Sequence, residues 1–270
     1  MLAHSPVLIV GIPLVAAFIC PMIGRWKKGA AYAWVIVTLS LSCLASFYTL
    51  MDVIRSGTVR YRLAGWTPPF GIEYVIDHLN GMMLVVVSTI SLLAAIYSGK
   101  SVEKELPERT GYFFTLFLLQ VTGFLGIVIT GDLFNLYVFL EIASLAGYAL
   151  IAVGEGGAPL ATFRYILMGT VGACFYLIGV GYIYVSTGSL NMADLGQRLP
   201  DLYHSRAVVT AVAFLLSGLA VKMALIPVHT WLPDAYTLAP SASSTLIAPL
   251  MTKISLYVMV RVLYSVFEPH

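Results

Sequence analysis

Apolar residues in this chain fall in long runs, and polar residues are confined to the gaps between runs or to single positions inside them. A helix that crosses a bilayer needs ~20 mostly apolar residues. Eight stretches reach or approach that length, at 6–23, 30–54, 78–98, 111–130, 133–153, 163–186, 208–226 and 244–267. The pattern predicts an all-α integral membrane protein with about eight transmembrane helices and no separate soluble domain. The first run has no basic stretch before it and no small-residue cleavage pattern after it, so it is expected to stay as a helix. Residues 55–77, with Gly65, Trp66, Pro68, Pro69 and Gly71, read as a structured turn. Residues 187–202 read as a short amphipathic helix between spans. Gly169, Gly172, Gly179 and Gly181 in the sixth run are small residues that permit close helix packing.

The polar exceptions inside the runs carry the chemistry. Lys222 lies in VVTAVAFLLSGLAVKMALIP and Lys253 in TLIAPLMTKISLYVMV. A charge near the bilayer centre costs ~2.5–3.5 kcal/mol on insertion scales, and such residues face a bundle interior or a water-filled path. Glu141 lies in the fifth run, where Tyr137, Glu141, Ser144 and Tyr148 recur at helical spacing and share one face. The plain alternative is a carboxylate paired to a neighbouring helix for packing alone. Asp132, just before that run, is expected to cap it.

Two prolines are expected to interrupt the last two runs. Pro227 cannot donate to the carbonyl of Met223, and Pro249 cannot donate to that of Thr245. Backbone left unsatisfied at membrane depth is tolerated only where protein or water covers it. His229 follows the first break, and its near-neutral side chain suits proton relay, although a lone histidine is also a common structural residue. Asp234 is placed either to cap the next helical piece or to pair with His229. Ser244 and Thr252 are accessory hydroxyls that could hold water beside Lys253. A Glu, two Lys and a His at membrane depth read as a proton path.

Composition narrows the class further. The chain is 59% hydrophobic and 10% charged, with a net charge of +2 and no basic cluster longer than RWKK at 25–28. Nucleic-acid binding has no footprint here. Cys20, Cys43 and Cys174 are isolated in apolar runs, so neither a metal site, an iron–sulfur cluster nor a disulfide framework is expected. No nucleotide-binding loop, catalytic constellation or cofactor motif is present. Basic residues favour the loops after the first, third and fifth spans (Arg25, Lys27, Lys28, Lys100, Lys104, Arg109, Arg164) over those after the second, fourth and sixth (Arg55, Arg60, Arg62, Arg198, Arg206). By the positive-inside rule the N-terminus then lies outside.

GDLFNLYVFLEIASLAGYAL (131–150) and AVKMALIPVHTWLPDAYTLAPSASSTLIAPLMTKISLYVMVR (220–261) resemble the proton-translocating antiporter family. That family includes the D-type subunits of Mrp-type cation/proton antiporters and the antiporter-like subunits of complex I and of membrane-bound hydrogenases. The wording GDLFNLYVF and TGSLNMADL is closer to the Mrp and hydrogenase branch. The resemblance implies that Glu141 tunes Lys222 on a broken helix, that His229 bridges, and that Lys253 is the lysine of the eighth span. It also implies a division into a three-helix segment (1–110) and a first antiporter repeat (111–270), with a second inverted repeat absent from this chain.

Under this resemblance the expected protein is a proton-conducting, multi-pass subunit of the inner (cytoplasmic) membrane. It would belong to a multisubunit antiporter or to a proton-pumping NADH:quinone oxidoreductase-like or hydrogenase complex. Its partners would be other membrane subunits, one of them supplying the second repeat. Its substrate would be protons, with Na+ as the candidate cation, and any redox chemistry would belong to partners. The alternatives are a non-conducting scaffold or assembly subunit and, with fewer residues to support it, a quinone-reactive subunit built on His229 and Asp234.

Overall fold

A computed structural model describes residues 4–26 and 29–267. Lys27, Lys28 and the tail residues 268–270 lie outside the described residues, and with them two of the charges counted for orientation. The apolar runs form helices α1 (Ser5–Trp26), α2 (Ala30–Ser56), α3 (His78–Glu105), α4 (Thr110–Ile129), α5 (Leu133–Ala152) and α6 (Ala158–Thr187). These are followed by the short α7 (Met192–Arg198), then α8 (Arg206–Lys222), α9 (Trp231–Leu238) and α10 (Ser241–Ser265). Among the described residues seven helices, α1–α6 and α10, are long and apolar enough to cross a membrane. The protein is a multi-pass membrane protein. The remaining run, expected as one span broken at a proline, is the pair α8 and α9, of 17 and 8 residues.

One face of the bundle carries a cap that the helical pattern did not foresee. Residues 55–77 hold an antiparallel hairpin, β1 (Val59–Arg62) and β2 (Glu73–Ile76), in the register Val59↔Ile76 and Tyr61↔Tyr74. VRYR and EYVI are rich in β-branched and aromatic residues, and the Gly/Pro turn chemistry between them hid the pairing. The Gly131 amide donates to the Glu73 carbonyl, and the Met192 amide donates to the Gly131 carbonyl. The hairpin, the α4–α5 turn and the loop before α7 are thereby sewn together. Glu73 is buried between Arg60 (2.9 Å) and the Asn191 side-chain amide (2.8 Å).

Arg261, near the end of α10, joins this cap. Its guanidinium is largely buried and pairs with Asp77 at 2.6 Å, while its Nε donates to the Tyr257 hydroxyl. Burial pushes the Asp77 carboxyl up, but Arg261 and the Asn80 and Leu79 amides outweigh it and hold the group below the ordinary aspartate value.

The closest helix packing joins α6 to α8. A Cβ added to Gly218 would come within 2.5 Å of the Gly172 carbonyl oxygen and 2.6 Å of the Tyr176 nitrogen. The glycines of the sixth run therefore pack as expected, apart from Gly181, which faces open space. Asp132 caps α5 by accepting from the Asn135 amide at 2.7 Å.

Candidate functional site

The site is assembled where α8 stops. Lys222 is its last residue, and the helix is closed by a two-bond reverse turn. The Ala224 amide donates to the Val221 carbonyl at 3.1 Å, and the Leu225 amide donates to that of Ala220 at 2.9 Å. This is the Schellman pattern, which needs a left-handed residue at its centre. Ala224 supplies it at φ +56°, a conformation that costs a side-chain-bearing residue about 1–2 kcal/mol. The break therefore precedes Pro227, which lies in the connecting segment and is not the residue that ends the helix. Trp231, at the start of α9, donates its indole Nε1–H to the Val221 carbonyl at 3.0 Å. Its ring stacks on Tyr165 of α6 at 4.3 Å, and Tyr165 meets Tyr148 of α5 edge-on at 4.5 Å. The end of α8 is thus clamped by an aromatic column crossing three helices.

This clamp holds Lys222 against α5. Lys222 is only 6% exposed. Its ammonium donates to the Ser144 hydroxyl at 2.7 Å and reaches a Glu141 carboxylate oxygen at 3.4 Å. Glu141 is the ninth of the twenty residues of α5 and is 27% exposed at its side chain. The face predicted from spacing is the one that meets Lys222. Removing one partner of a buried ion pair costs ~3–5 kcal/mol, because the other charge is left uncompensated. A lysine between a carboxylate and a hydroxyl in a helix bundle can release a proton as the ammonium and take one up again as the neutral amine.

The other expected site residues stand apart from this pair. His229 lies in the segment between α8 and α9, partly buried, and its Nδ1 meets no hydrogen-bond partner among the described residues. Lys253 is not buried: its ammonium is exposed on the side of α10 and donates to the Ala248 carbonyl of its own helix at 2.8 Å. The apolar periodicity explains this, since Leu246, Leu250, Ile254 and Val258 turn inward and Lys253 shares the opposite face with the exposed Leu256 and Val260. α10 also runs unbroken through Pro249. A single proline removes one helical bond, and here it does not break the span.

Asp234 neither caps α9 nor meets His229. It pairs with Arg164 of α6 at 2.7 Å, with both side chains well exposed. Ser244 donates to the Tyr236 carbonyl at 2.9 Å, joining α10 to α9, and Thr252 lies against Tyr236. Cys20, Cys43 and Cys174 are free thiols. The sequence reading missed Trp231 and Tyr165 as the clamp, because aromatic residues at single positions carry no spacing signal. It also passed over Gln120, fully buried in α4 with neither amide atom hydrogen-bonded among the described residues. The only sequence signal there was one amide in an apolar run.

A family model described as NADH:quinone oxidoreductase/Mrp antiporter, transmembrane, matches residues 130–269, the stretch that contains Glu141, Lys222, His229 and Lys253. The chain belongs to this family. It is 47% identical over 272 residues to NADH-quinone oxidoreductase subunit N of Desulforudis audaxviator, covering 99% of this chain and 54% of that protein. It is 33% identical to the D-type subunit of the Na(+)/H(+) antiporter of Alkalihalophilus pseudofirmus, covering 83% and 45%. A chain of the membrane-bound sulfane sulfur reductase, an archaeal respiratory membrane complex, superposes with a TM-score of 0.92 at 33% identity, over 98% of this chain and 54% of that one. A chain of the Mrp complex from Dietzia sp. gives 0.86 at 28% identity, over 99% and 49%. This family member spans about half the length of the curated relatives it matches.

Proposed function

We propose that this chain is a proton-conducting membrane subunit of a multisubunit cation/proton antiporter or of a proton-pumping respiratory or hydrogenase complex, with Glu141, Lys222, His229 and Lys253 as the proton-carrying groups. The observation that carries the reading is the surroundings of Lys222. An ammonium 6% exposed, at the end of an interrupted helix, is held by one hydroxyl and one longer carboxylate contact. A structural ion pair gains nothing from a helix break beside it, whereas a group that exchanges protons needs the hydration that a break admits. Glu141, at 3.4 Å, sets the charge balance on Lys222. His229 lies on the connecting segment, and Lys253 is offered to whatever covers the exposed face of α10. Other membrane subunits are the partners, protons the substrate, Na+ the candidate exchanged cation, and the cytoplasmic membrane the location. Redox chemistry belongs to the partners.

A non-conducting scaffold or assembly role is the second reading. Lys253 favours it, because its charge is satisfied on its own helix. Lys222→Ala and Glu141→Ala in the assembled complex separate the two. The conduction reading expects proton-coupled activity to fall by at least about a hundredfold with assembly retained, the scale on which a positioned acid–base group acts. Full activity of Lys222→Ala in an assembled complex leaves the scaffold reading standing.

A further inference from the structure

A cavity of about 20 Å³ lies beside Lys222, enclosed by α4, α5, α6, α8 and α10. Its apolar walls include Phe124 and Ile127 of α4 and Ile254 of α10; its polar lining is Ser144, Tyr165, Lys222 and Ser255. A volume above ~10–15 Å³ with two to four polar partners is what a buried water requires. The side chains on the wall supply those partners. A lysine ammonium has three protons. Two are directed to Ser144 and Glu141, and one remains. The Ser255 hydroxyl donates to the Met251 carbonyl at 3.0 Å and keeps its oxygen lone pairs to accept. Ser144 accepts from Lys222 and retains its own hydrogen. Tyr165, the other polar side chain on the wall, donates to the Met251 sulfur.

We propose that this cavity binds one water molecule, which accepts a hydrogen bond from the ammonium of Lys222 and donates one to the hydroxyl oxygen of Ser255. Ser255 is a positioning residue: it touches Lys222 through the water and fixes where that water sits. The site gives α10 a link to the Glu141–Lys222 pair on its inward face, opposite the face that carries Lys253. An unpaired ammonium proton in a small, mostly apolar cavity is costly, so the water completes the shell of the charged form. Its role in transport rests on the proton-conduction reading above.

The test uses the assembled complex, both for a high-resolution map and for proton flux in liposomes. The wild-type map is expected to show one ordered density within ~3.2 Å of both Lys222 Nζ and Ser255 Oγ. The absence of density there, where other buried waters are resolved, overturns the site. Ser255→Ala is expected to lose the density and slow flux roughly tenfold, whereas Ser255→Thr, which keeps the hydroxyl, restores at least about half. Wild-type flux in Ser255→Ala, or equal slowing in Ser255→Thr, overturns the positioning role. The Lys222→Ala control keeps the two ideas apart: if it is inactive while Ser255→Ala is normal, only this inference fails. If Lys222→Ala is itself active, the conduction reading fails and the transport role of Ser255 fails with it.

Discussion

Lys222 has its polar partners on α5, but its backbone is fixed from the other side. The Val221 carbonyl, one residue before it, accepts from both the Ala224 amide and the Trp231 indole. Trp231 is 2% exposed and stacked on Tyr165, so its ring cannot turn without disturbing α6. Trp231→Phe keeps the stack and removes the donor. It is expected to cost about 1–2 kcal/mol, from one lost buried hydrogen bond and a small loss of volume, and to lower flux by loosening Lys222. Unchanged melting and unchanged flux in this variant would show that the indole bond is not part of the support. Glu141 and Lys222 were each legible as a charge inside an apolar run, and helical spacing put Ser144 on the face of Glu141; that the two act together was implied only by the family resemblance. Trp231 was not legible as a clamp. Its partner is a backbone carbonyl, which leaves no mark in side-chain spacing. Lys253 misled for a related reason: an apolar run gives the depth of a lysine but not which way it points.

The helices were legible as elements, and their interruption was legible in place but not in cause. A proline at 227 is a visible stop, yet the chain has already turned at Ala224, where backbone amides close α8. Pro249 has the same chemistry without the same effect, since α10 continues through it. The hairpin at 59–76 was missed because two four-residue strands give too short a pattern to stand out beside eight long runs. Gly169, Gly172 and Gly179 of α6 pack as the sequence suggested while Gly181 does not, and Gly218 of α8, which the sequence reading passed over, packs as closely; the consequence can be measured. Gly218→Ala places a methyl against backbone atoms of α6 that cannot swing aside, so about 1–3 kcal/mol of stability should be lost. Gly181→Ala meets nothing within 4 Å and should be neutral, or gain up to about 1 kcal/mol from helix propensity. Equal melting temperatures for the two variants in detergent would contradict the close α6–α8 contact.

At the scale of the whole molecule the bundle has two unlike ends. One carries the hairpin, the α4–α5 turn and α7, joined by backbone bonds; the other carries the α3–α4 and α5–α6 connections near Lys104, Glu155 and Ser241. By the positive-inside rule we propose that the Lys104 end faces the cytoplasm. In a cysteine-free background, a cysteine at Lys104 should resist a membrane-impermeant maleimide in sealed cells and one at Arg62 should react; the reverse result would invert the orientation. The central claim is that Lys222 exchanges its proton rather than merely pairing with Glu141. Lys222→Arg separates these roles, because guanidinium preserves the positive charge but does not give up a proton near neutral pH. The decisive measurement is dye-reported proton flux by the assembled Lys222→Arg complex in liposomes, beside the wild type. The account predicts an assembled complex with flux reduced by at least about a hundredfold; flux at the wild-type level would contradict it.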